Sequence, residues 1–187
     1  GAQSVIVLLT MGTDYENVWP DYKGEDPLPE VKQRIEDATA KGYEQLKAEH
    51  VADYEALFGT VDVDLGQFDN AVPTNELLRN YQDAFKKGNI TDAQYRELEV
   101  LAFQFGRYAL IASSRDGSLP ANLQGVWNDN NSPMWSSDYH LNVNLEMNYW
   151  SAMVTNMADT MLPLIDYVDS LRAPGRVTAR EYLGIED

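Results

Sequence analysis

Apolar and polar positions recur with three different spacings along this chain, and each spacing predicts its own kind of element. Residues 4–10 (SVIVLLT) form a continuous β-branched run, read as a buried strand. From Pro29 the spacing turns helical, through Val31, Ile35, Ala38, Leu46, Tyr54 and Leu57, with one slip at Gly42. Val61, Val63 and Leu65 alternate with Asp62 and Asp64, predicting a half-buried strand closed by Gly66. Thr74 is placed as the N-cap of a helix that presents Leu77, Leu78, Tyr81 and Phe85 on one face and ends at Gly88. Thr91 and Gln94 read as a capping box for a further helix, with Tyr95, Leu98, Leu101, Phe105 and Tyr108 inward, running to Ile111 or Ala112.

At Ser113 the pattern stops. Residues 113–139 are broken by Gly117, Pro120 and Gly125 and then by the run NDNNSP, about 27 residues without helical or strand spacing. A loop of that length inside a compact domain is functional or disordered, and Trp127 and Trp135 argue for order. Helical spacing returns with Met147, Trp150, Val154 and Met157, which places Trp150 in the core. A helix follows over about residues 160–171, with Pro163 tolerable in its first turn; Pro174 and Gly175 then break the pattern before one or two last helical turns. The sum is a mainly α chain with two short strands and one elaborate loop. The first strand has little to pair with and the last helix begins near the final residue, so the chain reads as a piece of a larger protein.

Composition narrows the function. With 14 Lys and Arg against 30 Asp and Glu, the net charge of −16 argues against a nucleic-acid backbone or an anionic membrane as partner. No apolar run approaches the roughly 20 residues of a membrane span. The absence of cysteine removes disulfides, thiolate catalysis and Cys-based zinc, and two distant histidines, His50 and His140, make a His-rich metal site a poor expectation. The opening GAQS has no basic region and reads as an expression scar or excised segment, not as a signal peptide.

The candidate chemistry lies in residues 119–127 and 134–150. His140, Asn142 and Asn144 alternate, which in an extended segment puts an imidazole and two carboxamides on one face. Carboxamides, like that of Gln124 as well, donate and accept as sugar hydroxyls do, and Trp127 and Trp135 offer flat faces for a pyranose. The competing structural reading is that Asn142 and Asn144 cap the next helix or satisfy loop backbone, that the tryptophans are core, and that His140 is a hydrogen-bonded structural histidine. His50, close to Tyr54 along a helix, reads as packing. Asp129, Asp138 and Glu146 are the local carboxylates from which a glycosidase pair would be drawn. Gly12 and Gly24 form no phosphate loop, and residues 113–115 (SSR) show no base for a serine nucleophile.

Residues 113–129 (SSRDGSLPANLQGVWND) and 135–150 (WSSDYHLNVNLEMNYW) closely resemble glycoside hydrolase family 95, inverting α-L-fucosidases that act mostly on terminal α-1,2-linked fucose, some preferring α-L-galactosides. Residues 12–15 (GTDY), 50–54 (HVADY) and 172–176 (RAPGR) fit the same family. The resemblance implies three parts: residues 1–25 as the end of an N-terminal β-sandwich domain, 26–70 as a linker helix and strand, and 71–187 as the first part of an (α/α)6 catalytic barrel. It implies that Asn144 activates water with Asn142 as its partner, and that His140, Trp135, Gln124 and Trp127 bind substrate. It implies no cofactor and no metal, a fucosylated oligosaccharide as ligand, and a general acid glutamate and polarising aspartate that follow Asp187. A secreted or cell-surface bacterial parent is compatible with it. This chain alone is then expected to be inactive and to self-associate through exposed barrel faces. The alternatives are a free-standing helical module that binds carbohydrate or protein without turnover, or a complete small glycosidase using Asp129, Asp138 or Glu146.

Overall fold

The computed structural model describes residues 3–67, 72–90 and 93–185. Among them the chain is mainly helical, with α1 (Leu28–Lys41), α2 (Tyr43–Phe58), α3 (Thr74–Lys87), α4 (Ala93–Ser113), α5 (Asn144–Val154), α6 (Leu162–Ser170) and α7 (Arg172–Leu183). Short 3-10 turns lie at Met134–Ser137 and Ala158–Met161. The chain divides into two compact units, one of Gly1–Ala56 with Pro163–Asp187 and one of Leu57–Leu162.

In the first unit, α1 begins with Pro29 in its opening turn, where a missing N–H is harmless. It ends at Gly42, whose φ of 76° supplies the break that the apolar spacing marks. Lys41 reaches across that break to Glu49 at 2.6 Å, and this contact, with Gln45, holds the Glu49 carboxyl below the usual range. The loop before α1 lies against it: Thr10 Oγ1 donates to Val31 O at 3.1 Å. Asn17 Nδ2 donates to Ser170 Oγ at 3.0 Å, tying the same loop to the end of α6.

Both expected strands are corrected. Residues 4–10 and 61–65 form no ladder, and among the described residues pairing is confined to isolated bridges, Tyr15 with Lys23 and Asn122 with Gly125. A strand needs a neighbour to take its N–H and C=O groups. Without one, Val5, Val7 and Leu9 are 81%, 82% and 78% exposed instead of buried. Pro174 and Gly175 do not break a helix either. The break falls at Leu171, and Pro174 sits in the first turn of α7, where proline is tolerated.

In the second unit α3 packs on α4, α4 on α5, and α5 on the Ala158–Met161 turn. The core is Leu77, Ala84, Leu110, Ile111, Ala121, Leu145, Tyr149, Ala152 and Met157. Thr74 opens α3, one residue inside the N-cap Pro73, and Gly88 closes it at φ 71°. The Thr91–Gln94 capping box lies outside the described residues and side chains.

The helix faces differ from those the apolar spacing predicts. On α3, Leu77 is buried but Leu78 and Phe85 are exposed. On α4, Leu101, Phe105 and Tyr108 are exposed, and the inward face carries Arg107, Leu110 and Ile111. Arg107 is 2% exposed. Its Nη1 donates to Phe58 O at 2.8 Å and to Gln104 Oε1 at 3.0 Å; its Nη2 donates to Leu57 O and Thr60 Oγ1, both at 3.2 Å. Its Nε donates to Thr155 O at 3.3 Å, and the guanidinium lies 5.3 Å from the Phe58 ring centroid. The carbonyls of Leu57 and Phe58 end α2, where a cation suits the helix dipole; Leu57 O also accepts from Thr60 Oγ1 at 2.8 Å. A buried arginine is invisible to a rule that equates inward with apolar. Trp150 is corrected as well: it is 69% exposed, because α5 turns Leu145, Tyr149 and Ala152 inward at i, i+4 and i+7 instead.

Candidate functional site

The long connection between α4 and α5 is ordered by polar anchors, not by its tryptophans, both of which are exposed. Tyr149, buried on α5, is the hub. Its hydroxyl is 2.8 Å from Ser114 Oγ and accepts from Ala121 N at 2.8 Å. Ser114 Oγ also donates to Thr160 O at 2.8 Å. Burial pushes the Tyr149 hydroxyl above the ordinary tyrosine value, against the opposing bonds from Ser114 and Ala121. From the position just before it, Asn148 Nδ2 donates to Ala121 O at 3.2 Å and Asn122 O at 2.9 Å. Tyr139 Oη donates to Pro120 O at 3.0 Å, and Leu123 N donates to Asp138 O at 3.2 Å. Two loop segments, 120–123 and 138–139, are thus pinned to each other and to α5.

Between the pins the backbone makes two sharp features. Residues 122–125 form a tight turn, with Gly125 N donating to Asn122 O at 3.0 Å and Gly125 at φ 79°. Trp135, Ser136 and Ser137 are all left-handed, with φ of 55°, 57° and 51°. Each such residue costs about 1–2 kcal/mol when it carries a Cβ, and strain of this kind collects at functional sites.

The sequence-derived site residues fall into three groups. Gln124, Trp127 and Asp129 line one open cleft of about 610 Å³, together with Asn128, Asn130 and Met134. Trp135 and His140 meet edge to face with ring centroids 5.6 Å apart, and His140 Nδ1 is 2.5 Å from Asp138 Oδ1. Asn142 and Asn144 sit at the start of α5, exposed, and neither carboxamide makes a hydrogen bond. The extended alternation is corrected: residues 141–143 form a turn in which Leu145 N donates to His140 O at 2.9 Å, and Asn144 is already helical. Burial of Leu145 and Tyr149 draws this segment into a helix, so period 2 does not govern it. The capping role that would explain the two asparagines structurally is not taken up.

Three polar atoms here are shielded from solvent without a hydrogen bond of standard geometry: Ser137 Oγ, His140 Nδ1 and Glu146 Oε2. Buried polar groups are normally satisfied, so orphans grouped within ten residues of sequence mark a place where polar ligand atoms belong. Among the described residues no group of three or more metal-ligating side chains occurs, and no helix is long and apolar enough to cross a membrane. His50 is exposed beside Tyr54, 6.0 Å between ring centroids. Sequence patterning does not single out Asn148, and it names Ser114 and Asp138 without revealing that they lie beside Tyr149 and His140. The available signal is Tyr149, a hydroxyl on an otherwise apolar helical stripe that requires a partner once buried.

Comparison with known proteins places these features. The glycosyl hydrolase family 95 catalytic domain matches residues 42–187. The chain is 35% identical over 191 residues to a probable alpha-fucosidase A of Aspergillus niger, covering 98% of this chain and 23% of that protein. It is 38% identical over 160 residues to alpha-L-fucosidase 2 of Arabidopsis thaliana, covering 85% and 18%. It is 34% identical over 190 residues to a probable alpha-fucosidase A of Aspergillus oryzae, covering 97% and 25%. The chain spans about a quarter or less of the length of these relatives.

Proposed function

Because the chain belongs to glycosyl hydrolase family 95, we propose that it is part of an α-L-fucosidase that removes terminal, mainly α-1,2-linked fucose from glycans with inversion at the anomeric carbon. Asn144 and Asn142 hold the attacking water. Residues 71–187 belong to the catalytic barrel, 26–70 to the linker, and 1–25 to the end of a preceding β domain. The observation that carries the reading is the pair of carboxamides that no structural role consumes, at the mouth of a helix whose preceding loop is pinned in place.

A carboxamide oxygen accepts a hydrogen bond from water but is a poor base until a negative group polarises it. That group is the family's aspartate, and the proton donor to the leaving oxygen is its glutamate, both C-terminal to residue 187 by the resemblance. Water oxygen bonds to C1 while the C1–O bond to the second sugar breaks on the opposite face. The leaving oxygen takes the glutamate's proton, and the water's proton passes toward the aspartate. Trp127, Gln124 and Trp135 line the sugar's path, and His140 bonds a hydroxyl.

The test is 2′-fucosyllactose hydrolysis by the full-length protein, with the first-formed anomer of fucose read by NMR. Asn144→Ala and Asn142→Ala are each expected to lower kcat by about 10²–10⁴-fold with the fold intact. Full activity in Asn144→Ala, or retention at C1, overturns the reading. Fucoside binding without any turnover would favour a carbohydrate-binding role instead.

A further inference from the structure

We propose that the cleft formed by residues 124–134 takes the leaving half of the substrate, the sugar that carries the fucose, with Trp127 against its apolar face and Gln124 and Asp129 on its hydroxyls. That the occupant is a sugar follows from the chemistry of the cleft; that it is the leaving sugar rests on the fucosidase reading.

The cleft holds about 610 Å³, inside the range of about 300–1,000 Å³ for small-molecule sites. Its wall is shaped by local bonds. Asn130 N donates to Asn128 Oδ1, Asn128 Nδ2 to Asn130 O and Ser132 N to Asn130 Oδ1, all at 2.9 Å. Gln124 N donates to Asn122 Oδ1 at 2.8 Å, which sets the base of its side chain. The oxygens of Asn128 and Asn130 are thus engaged by backbone. The side chains of Gln124 and Asp129 make no hydrogen bond among the described residues. An ionised carboxylate only accepts and a carboxamide does both, a set that matches sugar hydroxyls. Trp127 is 65% exposed and Met134 73%. An indole face covers the C–H face of a pyranose, and a thioether adapts to its edge.

The reacting end lies elsewhere on the same connection. Trp135, His140, Asn142 and Asn144 follow Met134 in sequence, and none of them lines the cleft. The two stretches are tied together by Leu123 N, which donates to Asp138 O at 3.2 Å, and by Tyr139 Oη, which donates to Pro120 O at 3.0 Å. In the inverting displacement, the water held by Asn142 and Asn144 enters at C1 on the face opposite the leaving oxygen. The sugar being released therefore lies across the fucose from the asparagines. The cleft supplies sugar-binding chemistry next to the asparagine segment without including it. It is open to solvent, as an exo-acting enzyme requires on the side where the rest of the glycan continues.

The experiment follows the Trp127 indole N–H by ¹⁵N NMR in the full-length protein, assigned by its loss in Trp127→Phe, during titration with lactose and with fucose. Lactose is expected to shift this signal and fucose to shift it less. No shift with lactose, or an equal or larger one with fucose, overturns the proposal. The kinetic arm compares 2′-fucosyllactose with methyl α-L-fucoside, whose leaving alcohol also needs a proton but is no sugar. Trp127→Ala and Asp129→Ala are each expected to lower the ratio of kcat/KM for the first substrate to that for the second about tenfold, mostly through KM. Equal losses on both substrates overturn the assignment to the leaving sugar. Failure of the fucosidase reading looks different: lactose shifts the indole signal while neither the parent nor a variant turns over either fucoside, and the cleft then holds a sugar that is not a leaving group.

Discussion

At the scale of single residues, the most consequential side chain in the second unit is a cation in an apolar setting. Arg107, almost fully buried itself, donates to carbonyls of Leu57, Phe58 and Thr155. Arg107→Met is expected to destabilise the protein by about 3 kcal/mol, because several charge-assisted bonds to the end of α2 and to Thr155 O are lost together. Arg107→Lys should recover little of that, since an ammonium lacks the planar fork. Urea unfolding of the three proteins checks both statements. Tyr149 makes a second, pH-dependent case. Its folded value is raised by burial, so its contribution is fully present below the unfolded tyrosine value of about 10 and is lost as pH rises through the folded one. Tyr149→Phe should lose about 1–2 kcal/mol at neutral pH, from the bonds to Ser114 and Ala121. It should then lose less than the parent on titration to alkaline pH. Thermal melts across that range would show the two curves converging; parallel curves would refute it.

Among the elements, terminators were easier to read than faces. Gly42 and Gly88 fall where the spacing breaks, because a positive φ acts locally whatever the tertiary context, whereas Pro174 ends nothing because a first helical turn tolerates it. The glycine that matters most for packing is Gly12. A Cβ built there would lie 2.7 Å from Val31 Cγ2 and 3.0 Å from Pro27 Cβ. Gly12→Ala is therefore expected to cost about 1–3 kcal/mol by overpacking the loop against α1. Val31→Ala in the same chain should return part of it, a non-additivity that a double-mutant cycle measures. Faces were misread on α3, α4 and α5 for one reason. Phe85, Phe105 and Trp150 satisfy the helical period but lie on the outer side, while Arg107 and Tyr149 take inner positions through hydrogen bonds.

Across the whole molecule, charge and apolar exposure oppose each other. Met147, Trp150, Met153 and Val154 stand exposed on one helix, in a chain of net charge −16. Apolar patches of this kind seldom stay bare, and like charge keeps copies apart until salt screens it. The 187-residue chain is therefore expected to self-associate more as salt is raised, with Trp150→Ser weakening the effect. Light scattering at low and high salt provides the check, and a strict monomer throughout would count against it.

The sequence by itself determined the helical class, most helix ends, the long ordered connection and the motif in which every candidate site residue lies. These depend on local φ restriction, on spacing within one element, or on a contiguous string, and all three survive without knowledge of neighbours. Only the tertiary structure decided that residues 4–10 and 61–65 lack ladders, that Arg107 points inward, and that Asn142 and Asn144 stand free at a helix start. It alone set Asp138 against His140 and left Trp135 beside them. Strand pairing, burial of a charge and the use of a lone pair each require a partner distant in sequence or turned by a backbone bend, and one-dimensional spacing carries no such partner.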